Sequence, residues 1–300
     1  MYDATDPRAT LAASAMPTGA RPREPQFFEF GSTPPVMTSP MGSETWLVRT
    51  QNLIVAYTHA HPGEVLSRRH DHDEYLMLLS AQDAQVTISG TGWERHLDGE
   101  QLAIVPPGDS DITVRGVATA VVRVFSSRNA GLARRCVNHD RYETPDNNVA
   151  EFHVWPGPRA GGVVHDYALA TVPPAANRLG RIYRASIAMV NVFYPEAGPR
   201  DPAKMSPHHH DDFEQLSLQL AGDYVHHVRT PWGVDLGGWR ADVHQFCTSP
   251  SVAIFPPPLV HTSQAIGAGL HRLVDVFGPP RLDFSDQPGW VLNSDDYPRP

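Results

Sequence analysis

Apolar and polar positions alternate over short stretches along most of this chain. "WLVRTQNLIVAYTHA", "YLMLLSAQDAQVTISG", "LAIVPPG" and "ITVRGVATAVVRVFS" follow one another, each bounded by Gly, Pro or Asp. A period of two with β-branched residues predicts strands. The pattern fades between Asn129 and about Gly162, where "NHDRYETPDNN" and "WPGPRAGG" stand, and resumes with "IYRASIAMVNVFY" as far as "LVDVFG". The first 45 residues are rich in Pro, Ala, Ser and Thr and read as a tail with one short ordered piece, "QFFEF".

The two strand-rich halves resemble each other. "HDHDEYLMLL" aligns with "HHHDDFEQLSL", "LAIVPPGDSD" with "VAIFPPPLVH", and "VVRVFS" with "LVDVFG". His208 lies 138 residues after His70, Val252 150 after Leu102, and Leu273 152 after Val121. Three matches in one order predict two copies of one domain, and many short strands per copy predict a sandwich or barrel. The expected division is an N-terminal extension (1–45), a first barrel (46–128), a linker with the start of the second domain (129–180), a second barrel (181–285) and a C-terminal extension (286–300).

Composition narrows the possible functions. The 300 residues suit one large β domain or two of about 150 each, and 41% hydrophobic content is enough for a buried core. A net charge of −9 argues against nucleic acid as a partner. No run of 18 apolar residues predicts a membrane span. Two distant cysteines, Cys136 and Cys247, make no disulfide framework, and the first residues lack the pattern of a secretory leader. Both features point to the cytoplasm. The one lysine, Lys204, makes Schiff-base chemistry a poor fit.

The candidate chemistry lies in "PHHHDDFEQLSLQLAGDY", residues 207–224. If this segment is extended, His208, His210 and Glu214 share a face with Leu216, Leu218 and Leu220, because residues two apart point the same way. A turn at Asp211–Asp212 would break that parity. Inward-facing imidazoles and a carboxylate cost free energy unless they are satisfied, and a divalent cation satisfies them. His261, after "AIFPPPLV", is the natural further ligand. A solvated, histidine-rich turn is the alternative reading of the run taken alone.

These residues carry a resemblance. "HHHDDFE", with His208, His210, Glu214 and then Gly222, is similar to the first cupin motif. "FPPPLVH", ending in His261, resembles the second, with Pro258 where a glycine is usual. Two copies over residues 45–285 look like a bicupin. The resemblance implies an all-β chain of two tandem cupin barrels (double-stranded β-helix, or jelly roll). It also implies one mononuclear site on His208, His210, Glu214 and His261, holding a divalent transition metal: Fe(II) by preference, or Mn(II), Ni(II), Zn(II) or copper. Asp212 and Gln215 would orient these ligands. Tyr224, His226 and Gln264, with Leu216 and Leu218, would line the substrate pocket.

In the first copy His70 and His72 align with His208 and His210. Leu76 and Asp111 stand where Glu214 and His261 stand, which reads as a degenerate site. The expected function is a metalloenzyme acting on a small organic substrate at the second barrel. The apolar leucines favour a dioxygenase-type oxidoreductase. A Lewis-acid isomerase or lyase is the alternative; a sugar isomerase would be expected to show more inward polar side chains near the metal. A non-catalytic metal or small-molecule binder is a further possibility. The resemblance also implies a homo-oligomer, expected to be a dimer.

Overall fold

The computed structural model describes residues 21–178 and 180–300, so residues 1–20 of the expected N-terminal extension lie outside it. The first half holds β1 (Gln26–Glu29), β2 (Met37–Thr38), β3 (Glu44–Arg49), β4 (Leu53–Ala60), β5 (Val65–Asp71) and β6 (Tyr75–Leu79). It continues through β7 (Ala84–Gly90), β8 (Trp93–Asp98), β9 (Gln101–Val105), β10 (Gly108–Gly116), β11 (Thr119–Ser126) and the one-turn helix α1 (Ala130–Ala133); β12 (His165–Ala168) follows in the expected linker. The second half holds β13 (Arg181–Arg184), β14 (Met189–Val192), β15 (Glu196–Ala197), β16 (Gln215–Ala221) and β17 (Asp223–Arg229). It ends with β18 (Val243–Thr248), β19 (Ser251–Phe255), β20 (Val260–Ile266), β21 (Leu270–Phe277) and α2 (Leu282–Ser285).

These strands form two barrels, each from a large and a small sheet. In the first, a seven-stranded sheet in the order β12-β9-β6-β11-β4-β3-β2 faces a four-stranded sheet, β5-β10-β7-β8. In the second, a seven-stranded sheet runs β1-β19-β16-β21-β14-β13, with β15 beside β21, and faces a three-stranded sheet, β18-β17-β20. Two strands cross over. β1, from the "QFFEF" stretch, pairs with β19 of the second barrel, and β12, from the expected linker, pairs with β9 of the first.

The large sheets pack back to back, and this explains the continuous apolar runs. In β6, Leu76 and Leu78 face the core shared by both barrels, while Tyr75, Met77 and Leu79 face the interior of the first barrel. A sheet covered on both faces needs apolar residues at every position. The shared core takes Val55, Leu76, Ile104 and Val124 from one sheet and Val190, Leu216, Leu218, Ile254 and Val276 from the other.

The two barrel interiors differ. The first is mostly apolar: Met77, Leu79, Val86, Ile88, Val105, Ile112 and Val114 all belong to one buried cluster. In the second, the matching pairing registers place Ser217 for Met77, Gln219 for Leu79, Tyr224 for Val86 and His226 for Ile88. Its interior apolar residues form smaller groups: Val228, Ala253, Phe255 and Leu259, with Phe27 and Val243 against them, and at one end Met189, Phe213 and Phe277.

Candidate metal centre

His208, His210 and His261 come together in the second barrel, with ligand atoms all within 4.8 Å of one another. His208 pairs with His261 as an isolated antiparallel bridge, with backbone hydrogen bonds of 2.8 and 3.1 Å. The turn from Pro256 is closed by Leu259 N–H to Pro256 C=O at 3.1 Å and delivers His261 into β20. The ring centroids of His208 and His261 are 4.4 Å apart, those of His208 and His210 5.1 Å, and those of His210 and His261 5.5 Å.

The backbone selects the tautomers. His208 Nδ1 lies 3.0 Å from Ser206 C=O, and His261 Nδ1 lies 3.0 Å from Leu259 C=O. A carbonyl only accepts, so each Nδ1 carries the proton and each Nε2 carries the lone pair. That is the state a metal-binding imidazole requires. His210 is held by stacking: Phe213 covers it at 4.1 Å, Phe277 backs Phe213 at 4.9 Å, and the Arg281 guanidinium sits 4.8 Å over Phe213. His209 points elsewhere, with Nε2 3.4 Å from Asp211.

The oxygen beside the histidines is that of Gln215, not Glu214. Gln215 Oε1 lies 2.7 Å from His210 Nε2 and 3.5 Å from His208 Nε2. Its Nε2–H donates to Ser217 Oγ at 3.1 Å, and Ser217 Oγ–H donates to Asp275 Oδ1 at 2.5 Å. This relay turns the carboxamide oxygen toward the imidazoles. Extended parity through residues 208–220 put Glu214 on their face, but the chain bends at Asp211–Asp212 and β16 starts only at Gln215. The bend inverts the parity, so Gln215, Ser217 and Gln219 face the barrel interior and Leu216 and Leu218 face the shared core.

Glu214 is buried on the other side. It accepts Gln51 N–H at 2.5 Å and Tyr142 O–H at 2.9 Å, both from the first half of the chain. Burial pushes its carboxyl up to about 7. The first copy repeats the arrangement: Glu74 accepts Ser186 N–H at 2.5 Å and Tyr297 O–H at 3.0 Å from the second half. Glu74 and Glu214 are therefore equivalents, each clamping one barrel to the other.

This equivalence shifts the alignment of the copies. Ser110 pairs with Arg68 as His261 pairs with His208, and Leu76 pairs with Val124 as Leu216 pairs with Val276. Arg68, Tyr75 and Ser110 therefore occupy the places of His208, Gln215 and His261. His70 and His72 are exposed, and Asp111 pairs with Arg69 at the surface. The sequence match of "HDHDE" to "HHHDD" was two residues out of register, because both segments repeat His and Asp at short spacing.

A cavity of about 440 Å³ opens beside the histidines. His208, His261 and Gln215 line it with Tyr224, His271, Asp275, Arg200 and Lys204. Of the other expected pocket residues, His226 lies deeper. Its Nε2 is 2.6 Å from Gln219 Nε2 and its Nδ1 2.9 Å from Ser263 Oγ. Burial, with His261 and His227 nearby, pulls its pKa down to about 3, so it is neutral in ordinary buffers. Gln264 bonds His227 at 3.1 Å, away from the cavity, and Asp212 pairs with Arg281. Sequence reasoning missed His271 on the cavity wall. Its Nε2 lies 2.6 Å from Ile266 C=O, so Nδ1 is the lone-pair nitrogen, and Nδ1 has no hydrogen-bond partner among the described residues. The one available signal was Gly222 (φ 82°), where an added Cβ would come within 2.3 Å of His271 Cδ2.

The class follows from two barrels sharing a core, with histidines on one inner strand pair: the chain has the two-domain cupin fold, that of a bicupin. Among solved structures it is similar to Lactobacillus farciminis oxalate decarboxylase in complex with formate, with a TM-score of 0.55 and 15% identity over 94% of this chain and 90% of that one. It is also similar to a point mutant of Bacillus subtilis oxalate decarboxylase, with a TM-score of 0.53 and 13% identity over 92% and 79%. At such identities the likeness establishes the fold. No protein-family model matches the chain, and no curated protein matches its sequence.

Proposed function

We propose that the second barrel holds one divalent transition metal on the Nε2 atoms of His208, His210 and His261, with Gln215 Oε1 as a neutral oxygen ligand. The donor set supports this reading: two tautomers are preset by backbone carbonyls, and an amide oxygen is aimed by Ser217 and Asp275. Carboxamide in place of carboxylate leaves the ligand set uncharged, so the full charge of the ion is available to an anionic substrate.

The reaction we propose is of lyase or isomerase type, on a small, oxygen-rich organic anion. One observation carries this: the barrel interior is polar. The case for a dioxygenase rested on Leu216 and Leu218 lining an apolar pocket, and these side chains lie in the shared core. A bound ion would supply Lewis-acid polarisation of a substrate oxygen. Arg200 and Lys204 at the cavity wall offset the lining carboxylates Glu196, Asp201 and Asp275, which leaves a bound ion to draw a substrate carboxylate, and His271 Nδ1 accepts a substrate hydroxyl. Neutral His226 adds no competing charge beneath the site. The solved neighbours act on oxalate, and for this chain we extend only the class, a small carboxylate.

The second reading is an Fe(II) dioxygenase, which three nitrogen ligands beside an open cavity favour. Elemental analysis of tag-free protein tests the centre: about one metal ion per chain is expected, falling below ~0.2 in His208→Ala and His261→Ala. Equal, low metal in all three proteins sinks the site. Turnover under strict anaerobiosis supports the lyase or isomerase, and stoichiometric O₂ uptake at an electrode moves the assignment to dioxygenase. We further propose a homodimer, on the cupin resemblance; sedimentation at the mass of one chain counts against it. Both cysteines are buried and free, which suits the proposed cytoplasmic location. No helix among the described residues is long and apolar enough to cross a membrane.

A further inference from the structure

The first barrel has lost the histidines but not the hollow. A cavity of about 300 Å³ opens there, lined by Arg68, Arg123, Glu64, Thr45, Leu47 and Phe125 among others. Arg68 stands where His208 stands. Arg123 pairs with Met77 as Asp275 pairs with Ser217, so an arginine replaces the aspartate of the second barrel.

Both arginines are buried: Arg68 is 8% exposed and Arg123 6%. They flank the Phe125 ring, with guanidinium carbons at 4.4 and 5.6 Å from its centroid. Arg68 is ion-paired with Asp71. Arg123 has no carboxylate partner among the described residues. Its one hydrogen bond, to Thr58 Oγ1, is long at 3.5 Å, and its Nε has none. A buried guanidinium without a counter-charge is costly, and Arg68 beside it adds like-charge repulsion. An anion in the cavity would offset that cost.

We propose that the first barrel is a binding site for a small organic monocarboxylate, held by the Arg123 guanidinium with its carbon skeleton against Phe125 and Leu47. Arginine suits a carboxylate because its planar fork donates two parallel N–H bonds. Glu64, 8% exposed and accepting from Ser39 Oγ, also faces the cavity. Its charge disfavours a second ligand carboxylate, and its free acceptor capacity suits a ligand hydroxyl. Arg135 at the rim keeps the entrance positive. The site is independent of the metal centre, and its occupant need not be the substrate.

Calorimetric titration is made in the full-length His208→Ala background, which removes the metal centre; carboxylate held elsewhere in the second barrel is told apart by its indifference to Arg123 substitution. The probes are acetate, 3-hydroxybutyrate, benzoate and inorganic phosphate at matched ionic strength. Saturable binding of at least one carboxylate is expected, weakened about tenfold or more in His208→Ala/Arg123→Met. If that variant does not fold, His208→Ala/Arg123→Lys keeps the charge, removes the fork and is expected to bind several-fold more weakly. The proposal is overturned by no saturable carboxylate binding, by binding that ignores both Arg123 substitutions, or by phosphate binding alone.

Discussion

Two adjacent residues, Glu214 and Gln215, divide the work at the start of β16. Gln215 faces the histidines, and Glu214 faces the other barrel. Gln215→Glu is expected to tighten metal binding, because it adds an anionic ligand, and Gln215→Leu to weaken it by about 10–100-fold. Chelator competition reads both, and unchanged affinity in both variants removes Gln215 from the centre. Glu214 makes a pH prediction. Its folded pKa, about 7, lies above its ordinary 4.5, so the folded state holds a proton that the unfolded chain releases. The contribution to stability is full below the ordinary value and is lost as pH rises through about 7. Wild type should therefore lose stability relative to Glu214→Gln between about pH 5 and about pH 8, whereas parallel stability curves would contradict the raised pKa.

At the scale of elements, the paired clamps join the barrels. Each is a glutamate just before an inner strand, taking a backbone N–H from a hairpin turn of the opposite half and a tyrosine hydroxyl. Tyr142→Phe and Tyr297→Phe each leave a buried carboxylate one donor short, a loss of about 1–3 kcal/mol in urea unfolding. The acceptor stays buried in both, so the two losses should be similar; a null effect in either would remove that clamp. The alternation of β16 was plain in the sequence, but which face it buried was not. Leu216 and Leu218 alternate with Gln215, Ser217 and Gln219 whichever set faces the barrel interior. Only the bend at Asp211–Asp212 and the neighbouring large sheet decide that the leucines leave the barrel.

At the scale of the molecule, one fold carries a mostly apolar barrel and a polar one around a common core. Leu216→Ala removes a shared-core side chain and is expected to cost about 2–5 kcal/mol with metal content unchanged. Loss of metal at unchanged stability would instead put the leucine in the pocket. Two crossing strands, β1 and β12, tie each barrel to the far half of the chain. They were legible only as "QFFEF" and as a stretch inside the linker, because pairing partners more than 60 residues away leave no local periodicity.

Local chemistry and repetition were enough to determine several features from the sequence: strands from alternation, two copies from three matched segments, and His208 and His210 as candidate ligands from parity, with His261 joined to them by its place after "AIFPPPLV" and the cupin resemblance. The tertiary structure decided the fourth partner, the true register of the copies and the polarity of the pocket. Each of these depends on which side of a strand meets another sheet. A period of two cannot tell the two faces of a strand apart, and a single bend between histidine and strand exchanges them.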